Sequence, residues 1–582
     1  MWELLEKIRA ILDASDRRKA IIILINIFLV AILETAGVGL IIPLISLITT
    51  PTIENDGVLY NIFAFIGIEN SGKQLILFVC VFLAVFYVAK NLFLVYSSYI
   101  QNRFRFNLQK KLSVKMLSAY MSRPYSFFVN TNSSEIMRGI GSDVGSVKDA
   151  LEVVFNTLTN ALTLVLLAVF LLYTDFYMAA VFLIVSFVCM YFLLVLLKKK
   201  VSVLGNEQRV AEAETTKYSY EMLGGIKDIY ASRKQSLFLK RYDQAFDQKS
   251  KINIWYNTII AMPNRVIEAT FIIGLVLVIM TRVIADANMA AFLPKLAAFA
   301  LAGIKILPSM SVVSKAVTQL IFQKPGVDAT YVNVTTYGRD EITGILEESY
   351  EAVGFQELEF NNVSFNYGGN GDDVLKNVDL NIKCGDSVAF IGESGSGKTT
   401  LIDLILGLYS PTSGEIKING KKSDDFKCDW RKLMAYVQQN VFLLDDTIRR
   451  NVAFGEPDDE IDDAKVWQSL EAAQLAGFVS SFEDGLDMIV GERGVKFSGG
   501  QRQRIAIARA LYFDSDILIF DEATAALDEA TEKAVMESID SLHGKKTLII
   551  VAHRLSTVKK CDVIYEVVNG ELVSRTWDEI KN

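Results

Sequence analysis

Six apolar runs fill the first 320 residues, near 20–49, 73–99, 150–175, 176–198, 254–283 and 288–321. Each is long enough to cross the ~30 Å of hydrocarbon in a bilayer as a helix. A backbone in lipid must satisfy its own hydrogen bonds, so runs of this length restrict the fold to a helical membrane domain. The first run starts near Lys19 and continues to about Thr49. A signal-peptide core is much shorter, so this is a retained span. The third and fourth runs are joined by a tight turn at Tyr173-Thr174-Asp175. Several runs exceed the minimum of about 20 residues, which predicts tilt or extension beyond the bilayer.

Positive charge orients the spans. Arg17, Arg18 and Lys19 precede the first; Arg103, Arg105, Lys110, Lys111, Lys115 and Arg123 follow the second; Lys198, Lys199 and Lys200 follow the fourth. The other connections carry almost no Lys or Arg, so both termini are expected in the cytoplasm. The two cytoplasmic connections, about 100–150 and 199–253, read as helical throughout, so the spans should run on into the cytoplasm. These features give a six-span α-helical transmembrane domain over 1–324.

A polar linker is expected over 325–353, and a second domain over 354–582. There the pattern changes to short β-rich runs alternating with helices, at Leu358–Phe365, Ser387–Ile391, Leu433–Val437, Ile517–Phe520 and Thr547–Val551. That alternation predicts an α/β domain with a largely parallel sheet. A length of 582 residues agrees with more than one domain. The formal net charge of −8 gives no basis for nucleic-acid binding. The five cysteines are scattered singly, with no C-x-x-C pair, which argues against a metal or disulfide framework.

The second domain carries the chemistry. After the strand Ser387–Ile391 comes Gly392-Glu393-Ser394-Gly395-Ser396-Gly397-Lys398-Thr399-Thr400, leading into a helix. This fits G-x-x-x-x-G-K-[ST] in its strand–loop–helix context: the glycines let backbone N–H groups wrap phosphates, and the helix N-terminus adds positive potential. Lys398 neutralises the outer phosphates and the Thr399 hydroxyl is a ligand for Mg²⁺. A second apolar strand ends in Asp521-Glu522. Adjacent acids at a strand end can divide labour, Asp521 holding the metal largely through water and Glu522 polarising the attacking water. A strand ending in acids is a weak signal alone and gains weight from its place downstream of the phosphate loop.

Phe497-Ser498-Gly499-Gly500-Gln501 resembles the signature sequence of ATP-binding cassette (ABC) ATPases, with Phe497 where Leu is usual. The resemblance implies an α/β P-loop ABC ATPase domain using ATP and Mg²⁺. In that family the signature serves the ATP held by the other cassette, which implies a homodimer. The remaining motifs fall in order. Tyr367 matches the aromatic that stacks on adenine. Gln439 matches the glutamine that senses Mg²⁺, with Gln438 where Pro is usual. Ala525-Ala526-Leu527-Asp528 matches the loop that crosses the dimer interface. His553 matches the switch histidine at the γ-phosphate, and Val490-Gly-Glu-Arg-Gly494 resembles a segment of exporter cassettes. One six-span half followed by one cassette resembles the exporter half-transporters, ATP hydrolases coupled to translocation.

Within the membrane half, the segments Ile32–Pro43, Phe86-Tyr-Val-Ala-Lys90-Asn and Ile304-Lys305-Ile-Leu-Pro308-Ser309 resemble the bacterial lipid-linked oligosaccharide flippases. That resemblance implies a polyprenyl-pyrophosphate glycan turned outward across the inner membrane. The alternatives are an exporter of another amphiphile, such as a lipid, drug or peptide, and a channel or regulator that gates without pumping. The complete hydrolytic set counts against the last. Glu34, Lys90, Arg265, Glu268 and Lys305 are ionisable residues inside spans, which need partners or a function. Either they pair with one another, Lys90 with Glu34 for example, or Lys90, Arg265 and Lys305 form a cationic belt for a pyrophosphate. Between the first two spans, Leu59, Ile62, Phe63 and Ile66 lie at helical spacing on one face. They make either a cap on the spans or an external helix that, by the resemblance, engages the polyprenyl tail.

Overall fold

The computed structural model describes residues 2–41, 44, 72–174, 176–284, 289–337, 354–368, 372–422, 430–524, 527–552 and 555–580. It divides into two units, 1–123 with 127–347, and 348–582 with 124–126.

The first unit is helical: α1 (Trp2–Ile11), α2 (Ala14–Gly39), α3 (Gly72–Met121), α4 (Tyr125–Asn130), α5 (Ser133–Arg138), α6 (Val144–Thr174), α7 (Phe176–Gly224), α8 (Ile226–Ala231), α9 (Gln235–Ile284) and α10 (Met289–Tyr337). A π-helical turn at Gly139–Asp143 joins α5 to α6. The apolar runs have two faces. On α2, Ile23, Ile27, Val30 and Ala31 are buried at helical spacing, while Ile21, Ile22, Ile25 and Phe28 are exposed. Such an exposed apolar face would be a liability in water and is the face that lipid covers. Four described stretches are long and apolar enough to cross a membrane: Ala14–Gly39, Ile76–Met121, Ser133–Tyr173 and Gln235–Leu277. At 50 residues, α3 is ~75 Å long at 1.5 Å per residue, more than twice the hydrocarbon thickness.

Two features differ from the sequence expectation. The N-terminal helix α1 was not expected. It buries Leu4, Ile8 and Ile11 on one face, and Lys7 ties it to α10 through Asp328 at 2.9 Å. The expected linker start at 325 is also corrected, because α10 continues to Tyr337. Lys324-Pro325-Gly326 reads locally as a helix breaker. Packing overrides it: Val327, Thr330 and Val334 are buried, and the Thr330 hydroxyl donates to Gly326 O at 3.0 Å.

The second unit holds two sheets. One is antiparallel, in the order β2 (Leu375–Lys383), β1 (Glu357–Phe365), β4 (Ser413–Ile418), β5 (Lys421–Lys422). The other has the order β10 (Glu571–Arg575), β9 (Val563–Val568), β3 (Ser387–Ile391), β8 (Thr547–Val551), β7 (Ile517–Asp521), β6 (Met434–Val437). All its neighbours pair in parallel except β10 with β9. β3, β7 and β8 are buried along their whole length. Both faces are covered, which is why these strands read as unbroken apolar runs. On one face Ala389, Leu518, Phe520, Leu548 and Ile550 join a core that includes residues of α13 (Asp463–Ala472), α14 (Gly499–Tyr512) and α15 (Glu529–Asp540). On the other, Val388, Phe390, Ile517, Ile519 and Ile549 meet the antiparallel sheet and α11 (Lys398–Ile405). A fifth helix, α12 (Ile448–Val452), lies in the first of these cores.

Candidate functional site

Parallel strands deliver their following loops to one edge of a sheet, where α/β proteins place their sites. Here β3 leads to the 392–397 loop, β7 to Asp521-Glu522 and β6 to Gln439. β8, between β3 and β7, leads to His553, which lies outside the described residues.

The loop geometry depends on glycine. Gly392, Gly395 and Gly397 have φ of +145°, +83° and +110°. A Cβ at Gly392 would stand 2.7 Å from Val567 O, so the backbone bends where no side chain fits. Lys398 is 6% exposed, and its ammonium donates to Gly392 O at 2.9 Å and Glu393 O at 2.8 Å. Burial pulls Lys398 below the usual lysine range, against the carboxylates of Glu522 and Asp521, which raise it. Among the described residues, the Ser396 hydroxyl is buried in the loop without a hydrogen-bond partner. A buried hydroxyl left unpaired at a phosphate loop fits a ligand with acceptor oxygens. Glu393, Ser394 and Thr399 are exposed and Thr400 is buried. Tyr367 is 55% exposed and its hydroxyl lies 2.8 Å from the Thr400 hydroxyl, which anchors an open ring beside the loop.

The acids lie at the same edge. Asp521 ends β7, is 5% exposed and accepts from the Tyr436 hydroxyl at 3.1 Å. Burial first, then Asp521, pushes the Tyr436 phenol up, so it stays protonated as a donor. Glu522 takes φ +50°, a left-handed conformation that is uncommon for a side chain of this size. Two bonds hold it there: Glu522 N donates to Val551 O at 3.0 Å, and Gln503 Nε2 donates to Glu522 O at 3.1 Å. Its carboxylate accepts from Gln439 Nε2 at 2.6 Å. Thr399, Asp521 and Gln439 offer hard oxygen donors, and among the described residues no cluster of three or more His, Cys, Asp or Glu could hold a metal. A sparse oxygen set suits Mg²⁺, which keeps waters and takes phosphate oxygens.

Ser498 caps α14. Its hydroxyl accepts from Gln501 N at 3.2 Å, while Ser498 N donates to Gln501 Oε1 at 2.8 Å, a capping box. Gly499 and Gly500 form the first turn of the helix. Phe497 is 4% exposed and packs edge-on against Phe478 and Phe482, so an aromatic cluster fills the position usually held by Leu. Gln503 and Arg509 read in the sequence only as polar and basic positions of the helix after the signature, and Tyr436 and Asp403 were not singled out. The signal that marks them is a polar side chain within an otherwise apolar strand or helix.

In the first unit, Lys90 and Lys305 meet on Glu34, at 3.1 and 2.9 Å. Arg265 does not join them: its side chain is 79% exposed and pairs with Glu268 at 3.3 Å on α9. Leu59, Ile62 and Phe63 lie outside the described residues.

The family model of the ABC transporter transmembrane region matches residues 22–286, and the family model described as ABC transporter matches 375–525. The "ATP-dependent lipid A-core flippase" of Ralstonia nicotianae is 46% identical over 219 residues, 37% of this chain and 37% of that protein. The protein of the same description from Escherichia coli K12 is 42% identical over 220 residues, 38% of each chain. These matches therefore span little more than a third of the relatives' length. A bacterial Atm1-family ABC exporter with ATP bound superposes with a TM-score of 0.77 at 19% identity, covering 98% of this chain and 96% of that one. With the family's transmembrane region and its ATPase cassette on one polypeptide, the chain belongs to the ABC transporters, as a half-transporter with the exporter fold.

Proposed function

We propose that this chain is one protomer of a homodimer that hydrolyses ATP to turn a polyprenyl-pyrophosphate-linked oligosaccharide from the cytoplasmic to the outer leaflet of the cell inner membrane, with both termini cytoplasmic. The observation that carries the reading is the single sheet edge on which Lys398, Gln439, Asp521 and Glu522 converge, in a chain whose other unit is built of membrane-length helices.

Lys398 and the amides of residues 392–400 hold the outer phosphates of ATP. The Glu522 carboxylate, fixed by Gln439 and by a clamped backbone, orients the attacking water. Tyr436 keeps Asp521 turned to the site. Thr399, Asp521 and Gln439 would hold Mg²⁺, which would supply neutralisation of charge on the phosphates. Tyr367 stacks on adenine, His553 meets the γ-phosphate, and Ser498 with Gly499, Gly500 and Gln501 serves the nucleotide of the second copy. For the cargo, Lys90 and Lys305 share one carboxylate and so leave a surplus positive charge inside the helical unit, which suits an anionic headgroup. Leu59, Ile62 and Phe63 are assigned to the polyprenyl tail, and Arg265 to the approach of the headgroup.

The lipid A-core flippase relatives favour a second reading, export of another phosphate-bearing amphiphile. Proteoliposomes separate the two. ATP-dependent movement of a polyprenyl-pyrophosphate glycan, with no movement of a lipid A-core molecule or phosphatidylcholine, is the expected result. Movement of the lipid A-core molecule alone replaces the cargo, and ATP hydrolysis with no lipid moved refutes the flippase.

A further inference from the structure

One carboxylate oxygen joins three helices. Glu34 Oε2, on α2, accepts from Lys90 Nζ of α3 at 3.1 Å and from Lys305 Nζ of α10 at 2.9 Å. The two lysines are not equivalent. Lys90 is 4% exposed and its ammonium sits 4.7 Å over the Tyr87 ring. The Tyr87 hydroxyl in turn donates to Gly37 O at 2.9 Å, one turn beyond Glu34. Lys90 is thus locked in place by α2. The Lys305 side chain is 41% exposed and has Glu34 as its ion-pair partner. The trio carries a formal charge of +1.

Two ammonium groups that share one oxygen repel each other, and one carboxylate cannot balance both in a low-dielectric medium. A second anion brought to Lys305 relieves this, and it competes with Glu34 for the same donors. A phosphate group does so well, with several charged acceptor oxygens where Glu34 commits one. We propose that Glu34 is an internal counter-anion that a phosphate- or pyrophosphate-bearing headgroup displaces from Lys305. Binding then exchanges one ion pair for another and unties α10 from α2, while Lys90 stays held. The inference rests on the reading of the protein as a transporter of a phosphate-linked lipid, and it gives that reading a way for the cargo to change the helix packing. Neutral amphiphiles cannot make the exchange, so the device also selects the cargo.

The test uses the full-length protein in phosphatidylcholine nanodiscs, titrated with geranyl pyrophosphate, inorganic pyrophosphate and geraniol. Glu34→Gln should bind geranyl pyrophosphate about tenfold tighter than wild type, the worth of one charge-assisted hydrogen bond no longer contested. Lys305→Gln should bind it about tenfold more weakly. Geraniol should not distinguish them. Should Glu34→Gln fail to fold, Glu34→Asp, with a shorter reach to Lys305, should still bind more tightly than wild type. The same ranking with inorganic pyrophosphate supports the exchange and makes the anion alone sufficient; a ranking seen only with geranyl pyrophosphate supports the exchange with a lipid headgroup. Variants within twofold of wild type for both anions, or Glu34→Gln weaker than wild type, overturn it. Translocation of lipid-linked glycan is scored separately. Its loss with the ranking intact removes the flippase reading alone, and its presence with flat affinities removes the counter-anion alone.

Discussion

Asn451 on α12 is fully buried, and its side-chain amide is hydrogen-bonded through both its oxygen and its nitrogen. Its Nδ2 donates to Thr447 O at 3.0 Å and Leu444 O at 3.1 Å, and its Oδ1 accepts from Leu444 N at 2.9 Å and from Arg509 Nη2 at 3.3 Å. Arg509 adds bonds to Asn451 O at 2.8 Å and Phe442 O at 3.1 Å and lies over the Phe454 ring at 4.5 Å. Burial alone pulls the Arg509 guanidinium down to about 10, as expected of a buried cation bonded to the carbonyl oxygens of Phe442 and Asn451. Together the two residues pin 442–451, the segment that follows Gln439, to the signature helix α14.

Asn451→Ala removes every side-chain bond and leaves Leu444 N, Leu444 O and one guanidinium N–H short of partners, while Thr447 O keeps its bond from Asn451 N at 3.0 Å. Each orphan in a buried site costs about 1–3 kcal/mol, and relaxation recovers part. We expect a net loss of about 3 kcal/mol in local stability, which is roughly a hundredfold faster amide exchange. Hydrogen exchange of the full-length protein, read on peptides covering 442–452, measures this directly. ATP affinity should hold, because the Lys398 loop makes no contact with Asn451. Turnover should fall, because Gln439 loses the anchor of the segment behind it. Exchange of 442–452 within threefold of wild type would refute the reasoning.

Two further predictions concern the site itself. Glu522→Gln should retain ATP binding and lower hydrolysis by about a hundredfold or more, since in the proposed function the phosphates are held by Lys398 and the loop amides while the carboxylate acts on water; phosphate release at the wild-type rate would disprove that role. Asp403, half-buried on α11, has its carboxyl pushed up to about 6, by burial first and then by Asp521. A raised acid favours the protonated folded state, so nucleotide-free stability should decline as pH rises from about 4 to 6, and Asp403→Asn should remove that slope. The full linkage value of ~3 kcal/mol is cut to about 1–2 by solvent screening, and equal slopes by thermal melting in both proteins would rule it out.

What the sequence disclosed is chemistry carried by consecutive residues. The 392–400 loop, Asp521-Glu522 and 497–501 each state their geometry locally, because a loop between a strand and a helix needs its glycines and its lysine side by side. Tyr436, Gln503 and Asp403 act only through tertiary placement. Tyr436 reaches Asp521, 85 positions away, because β6 lies beside β7 in parallel register. Nothing in the local pattern specifies that neighbour. The burial cost of an intramembrane charge pointed to Lys90 and Glu34 as a pair, 56 positions apart. That argument states only that a partner exists. It could not show that Lys305 shares the same oxygen, or that Arg265 is satisfied one turn away by Glu268.

The signature helix shows why the local motifs act as one device. A serine hydroxyl has one proton to give and two lone pairs. In the capping box Ser498 uses a lone pair for Gln501 N and keeps its proton, at the positive end of a 14-residue helix. That proton and the first-turn amides suit an anionic oxygen arriving from outside the chain. Farther along the same helix, Gln503 holds the carbonyl of Glu522 and Arg509 holds Phe442 and Asn451. A rigid helix passes displacement at one end to the groups bonded along it. A phosphate drawn to Ser498 therefore bears on the backbone that sets the Glu522 carboxylate and on the segment that carries Gln439, the residue gripping that carboxylate. In the homodimer proposed above, engagement of a second copy's nucleotide and alignment of Glu522 with Gln439 would then be one movement, which would give such a cassette a physical reason to work in twos.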